Sequence, residues 1–119
     1  MPPHDQAEAL LNKLLAALDQ ADPVRAAERV WPLLGARPAG QVVDQAGLAR
    51  LLANERHRGL LAPLARELRG WDRREGAARA ELLVTPRHDE TAHAWLVTLA
   101  CTADGRWWVS GLQREGFEG

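Results

Sequence analysis

An α+β fold, with N-terminal helices packed on a curved, cone-like antiparallel sheet of three to five strands, is predicted by three features of this 119-residue chain. Apolar residues recur every three or four positions in the first half, as on one face of a helix. From Ala78 to Val84 the period shortens to two, the signature of a half-buried strand. Near the end "TADGRWWVSGLQ" pairs a turn dipeptide with two adjacent tryptophans. Helices first and strands afterwards is an α+β order.

The first helix is expected over about residues 5–20, where Ala7, Leu10, Leu11, Leu14, Leu15 and Leu18 share a face. In "ADPVRAAERVW" Asp22 caps a second helix over about 23–31, with Pro23 at the first position, where its missing N–H is harmless. Pro32 then stops or kinks it near Trp31, and Gly35 closes the turn. "GARPAGQVV" reads as a loop or short edge strand, after which Asp44 caps a third helix over about 45–55. Gly59 and Pro63 interrupt the next stretch, so it reads as a helical turn feeding an extended segment.

Strands are expected at about 68–74, 77–85, 92–102 and 106–114, within one domain spanning 1–119. "AHAWLVTLACT" is apolar on both parities, as in a central strand covered on both faces. Asp104-Gly105 signals a two-residue hairpin into "RWWVSGLQRE".

Composition narrows function by exclusion. Fifteen basic and sixteen acidic residues leave a net charge of −1, which offers no field for nucleic acid or an anionic membrane. Fourteen of the bases are Arg, and Lys13 is the sole lysine, the usage of a GC-rich genome. A lone Cys101 excludes an internal disulfide. The start has no basic leader and no cleavage site, and the apolar runs are too short to span a bilayer. A soluble, cytoplasmic protein is expected.

The helix pair, third helix and closing meander resemble the nuclear transport factor 2-like superfamily, also called SnoaL-like or cystatin-like. Its members often end in a D-G-x-W-x-V/I-x-G strand, here Asp104, Gly105, Trp107, Val109 and Gly111. "LLAPL" and the last three strands are similar to bacterial members of this fold with no assigned activity. The resemblance implies architecture, since the superfamily includes isomerases, hydrolases, ligand carriers and dimerisation modules. Isomerase-like members use a tyrosine-containing oxyanion site, and this chain has no tyrosine. Hydrolase-like members use an Asp-Arg-Asp cluster, whereas the inward positions here are mainly Ala, Leu, Val and Trp. A non-catalytic dimerisation or interaction module is the expected function, without a cofactor. The alternative is a small apolar ligand-binding protein, or an isomerase- or hydrolase-like enzyme using the cone.

Two sets of residues carry these possibilities. If Trp107 points into the cone as in the resembling families, strand parity places His93 and Trp95 inward with Gln113 near the mouth, a candidate pocket for an apolar ligand. Trp108 then faces outward with Leu96, Thr98, Ser110 and Leu112, a candidate homodimer interface through the outer sheet face. Coverage of that face by "REGFEG", with Phe117 laid across it, is the competing expectation.

The remaining polar clusters read as solvated surface. "RHDETAH" gathers His88, Asp89, Glu90 and His93, but its histidines are five apart rather than four, so no metal site is expected. "RELRGWDRREGAAR" sets Trp71 among arginines and acids alike, a mixed-charge surface rather than a nucleic-acid platform. His57 reads as part of a wet segment, His4 as part of a frayed terminus, and Cys101 as a small buried hydrophobe.

Overall fold

The computed structural model describes residues 3–34, 44–55, 57–87 and 91–114. Among the described residues three α-helices precede a four-stranded antiparallel sheet, the α+β arrangement expected from the sequence. Helix α1 (Pro3–Ala17) buries Ala7, Leu10, Leu11, Leu14 and Ala17, with Leu18 just beyond its end. The last carbonyls of a helix lack partners within it, so other segments must supply donors. Here the Ala62 N–H donates to the Leu18 carbonyl at 2.8 Å, and Arg66 Nη1 donates to the Leu15 carbonyl at 2.8 Å.

In α2 (Pro23–Val30) the Asp22 side chain accepts from the Val24 N–H at 3.0 Å. Pro32 has no N–H to continue the ladder, and the chain tightens into a single 3₁₀ turn at Trp31–Leu33. Leu34 then forms an isolated parallel bridge to Val109. Gly35 and residues 36–43, where a loop or short edge strand is expected, lie outside the described residues. In α3 (Gln45–Ala53), which packs against α2, Asp44 accepts from the Gly47 N–H at 2.7 Å, and Leu48 and Leu52 are buried. Among the described residues no helix is long and apolar enough to cross a membrane.

The sheet is a meander in the order β1 (Ala65–Arg74), β2 (Ala77–Thr85), β3 (His93–Cys101) and β4 (Trp107–Arg114). β1 starts ahead of its expected position. Ala62, at φ 41°, turns the chain sharply, and the Leu64 N–H already meets the Thr85 carbonyl at 2.9 Å. The β3–β4 connection is also longer than the two residues expected. The Thr102 N–H pairs with the Arg106 carbonyl at 2.8 Å, and the Gly105 N–H returns to the Thr102 carbonyl at 3.0 Å. That makes a three-residue loop in which Gly105, at φ 89°, takes the left-handed position.

Ala78, Ala80, Leu82 and Val84 of β2 and Trp95, Val97 and Leu99 of β3 are all buried, and with the helices they form the core. Each large apolar side chain removed from water in this way contributes about 1.5–3 kcal/mol.

Candidate functional site

The ladder assigns every strand residue to a face, because paired residues share one. Trp95, Val97 and Leu99 of β3 are buried beneath the helices, so Ala94, Leu96, Thr98 and Ala100 face outward. Trp107 opposes Cys101, on the inner parity, and Trp108 opposes Ala100, on the outer. The two adjacent tryptophans therefore do point to opposite faces.

Beyond them the expected parity fails. Leu99 pairs with Val109 but Thr98 pairs with Gly111, so Ser110 is an extra residue, a β-bulge. The bulge reverses the facing of the rest of the strand. Leu112 opposes Val97 and packs against the core, so it does not belong to the outer patch. Gln113 opposes Leu96 on the outer face and is exposed, so it does not stand at the inner mouth. Arg114, opposite Trp95, takes the inner position instead. Ser110 stays outside, its hydroxyl 3.2 Å from Thr98 Oγ1.

The outer face divides into two zones. Leu83, Ala94, Leu96, Ala100 and Trp108 form an apolar strip, all partly exposed, with Thr98 and Ser110 bonded to each other within it. Towards β1 the same face carries Asp72, Arg74, Arg79 and Glu81, with Arg74 Nε 3.4 Å from Asp72 Oδ2. Both signs alternate there, so this zone presents a polar border rather than a field of one sign. No described helix lies on this side. Residues 115–119, including Phe117, are outside the described residues.

On the inner face Trp95 is only 2% exposed and fills the core rather than lining an opening. His93, opposite the buried Val84, is half-buried on the same face. The His57 ring sits against Trp95, with centroids 5.3 Å apart at 57°, and its Nδ1 lies 3.0 Å from Asn54 Oδ1. That contact escaped the sequence because it joins a post-helical turn to a distant strand, with no local pattern to announce it. Trp107 packs against the core and borders a surface groove with Gln6, Leu10, Lys13 and Leu33. The indole N–H groups of Trp71 and Trp107 are both buried without an acceptor among the described residues.

No protein-family model matches this chain, and no curated protein matches it either. A solved structure from Catenulispora acidiphila is similar at 20% identity, covering 94% of this chain and 89% of that one, with a TM-score of 0.49.

The other polar clusters resolve individually. His88, Asp89 and Glu90 lie outside the described residues, as does the side chain of His4. Among the described residues no three His, Cys, Asp or Glu side chains gather as metal ligands. Within the basic stretch, Arg66 is not a surface residue. It lies on the inner face opposite Val84, 17% exposed, and reaches both the Leu15 carbonyl and the Asp19 carboxylate. Arg73 stacks 5.2 Å from the Trp71 ring centre and approaches Glu8 at 3.7 Å. Cys101 is partly exposed beside the β3–β4 loop, its Sγ 3.4 Å from the Thr102 carbonyl. In that loop the Thr102 hydroxyl donates to Asp104, and this bond, aided by Arg106, holds the Asp104 carboxyl below its ordinary value.

Proposed function

We propose that this chain is a non-catalytic dimerisation module whose outer sheet face packs on the same face of a second copy. The observation that carries the reading is Trp108, a large aromatic paired with Ala100 and flanked by Ser110 at the end of the outer apolar strip, on a face that no described helix covers. A partly buried aromatic beside small residues, on a face with a charged zone at its far side, is the composition of an interface anchor. Self-packing suits the mixed charges of Asp72, Arg74, Arg79 and Glu81, because a two-fold axis can set opposite signs against each other without a second protein. Four strands spaced about 4.8 Å apart and rising about 3.3 Å per residue offer a face of roughly 600 Å². Such an area corresponds to the smaller class of specific interfaces, of about 1,200 Å² in total.

The ligand-binding alternative rests on His93, Trp95 and Trp107, and the near-complete burial of Trp95 weighs against it. Light scattering of the wild type and of Trp108→Glu tests the favoured function. The wild type is expected to be a dimer at micromolar concentration and the variant a folded monomer, because two unpaired carboxylates would be buried in the interface. A wild-type monomer, or a variant that stays dimeric, refutes it.

A further inference from the structure

Ala62 is the one non-glycine residue with positive φ among the described residues, and both its backbone groups are bonded to distant segments. Its N–H donates to the Leu18 carbonyl past the end of α1, and its carbonyl accepts from Arg87 Nε just past β2, each at 2.8 Å. A side-chain-bearing residue holds such a conformation only where its surroundings over-determine it, and such places often build sites. Here the crossing point borders a groove of about 430 Å³ lined by Ala21, Pro23, Ala53, Arg58, Leu61, Ala62 and Arg87. None of these residues belongs to the outer sheet face, so the groove is independent of the dimer.

The chemistry of the lining is one-sided. Two guanidinium groups border the groove, and among the described residues no carboxylate lines it and neither Arg58 nor Arg87 has an acidic partner. Among the described lining residues that is an excess of two positive charges, in a chain of net charge −1. Arg87 is also pre-oriented. Its Nε is committed to Ala62, which fixes the plane of the guanidinium and leaves its terminal nitrogens to an incoming group. A fork held in this way matches the oxygens of a tetrahedral or planar oxyanion and loses little freedom on binding. Pro23, Ala53 and Leu61 supply an apolar floor beside it.

We infer that this groove binds a small phosphate monoester, with its phosphate between Arg58 and Arg87 and its organic part over the apolar floor. Two guanidiniums balance the charge of about −1.5 to −2 carried by such a group at pH 7, which a carboxylate does not match. The volume accommodates a phosphate and one small ring, near the lower end of the range of about 300–1,000 Å³ for ligand sites.

Phenyl phosphate is the probe, titrated at low ionic strength and followed by the arginine Nε–H signals and by thermal melting. Saturable binding at about 1 mM or tighter is expected, with at least about a tenfold loss in each of Arg58→Gln and Arg87→Gln. Arg87→Gln also removes the bond to Ala62, so Arg58→Gln, which gives up no hydrogen bond within the described residues, is the decisive variant. Absence of saturation by about 10 mM overturns the assignment, as does a folded Arg58→Gln that binds like the wild type. Benzoate binding as tightly as phenyl phosphate overturns the choice of phosphate. Trp108→Glu should bind the probe unchanged, and a loss there would tie the groove to the sheet face and refute its independence.

Discussion

Thr98 Oγ1 occupies the space that a β-carbon on Gly111 would need. The bulge at Ser110 brings these two outward-facing residues together, and only glycine fits opposite the threonine. Gly111→Ala is therefore expected to destabilise the protein by about 1–3 kcal/mol, the usual consequence of overpacking. Thr98→Ala in the same chain should recover part of that loss, read as a coupling in a double-mutant cycle of denaturant melts. Additive effects of the two changes would show that they do not compete for space.

The reversed facing past the bulge separates Leu112 from Trp108. Leu112→Asp places a carboxylate against Val97 and the core, and should lower stability by about 3 kcal/mol or more. In the monomeric Trp108→Glu background Gln113→Asp, one residue on and exposed outside, should change stability by less than about 0.5 kcal/mol. Equal effects of the two would contradict the register.

Arg66 spans the gap between β1 and the end of α1, satisfying a carbonyl with one nitrogen and the Asp19 carboxylate with another. Arg66→Lys should not rescue what Arg66→Ala loses, about 1–3 kcal/mol, because an ammonium cannot present two donors in the fixed fork. Asp19→Asn should lose less than about 1 kcal/mol, since that carboxylate is largely in water. Chemical denaturation of the three variants gives the ranking directly.

The Asp104 carboxyl is depressed by the Thr102 hydroxyl and is fully exposed, so its behaviour is a local titration. A depressed carboxyl contributes stability that is present above the unfolded-state value and disappears as pH falls through the folded one. Carboxyl chemical shifts should show Asp104 titrating below a free aspartate, and Thr102→Ala should move it upward. A titration unmoved by that substitution would remove the hydroxyl as the cause.

Much of the architecture was written in local pattern. The three-and-four spacing from Ala7 to Leu18, the caps at Asp22 and Asp44, and the alternation from Ala78 to Val84 each reflect chemistry within a few residues of the chain. The site was less legible. Strand parity is reliable only while the ladder is regular, and one inserted residue exchanged the faces of Leu112 and Gln113. A warning did exist, since a glycine inside an apolar strand, here Gly111, often marks a bulge. Nothing comparable announced Arg66, which sits in a run of charge resembling a wet strand yet reaches inward to α1, nor the contact of His57 with Trp95. Both depend on segments far apart in sequence.

The order of the strands has a consequence for how the chain reaches this state. Every pairing in the sheet joins neighbours in sequence, so β1 to β4 can zip together with little loss of loop entropy. The crossings that fasten α1 and the Leu34 bridge to this meander span much longer stretches of chain and close expensive loops. The hairpins are thus the natural early structure, and docking of the helices the late event. Kinetically, substitutions in the Gly76 and Gly105 turns should slow folding, whereas loss of the Arg66 tether should chiefly hasten unfolding.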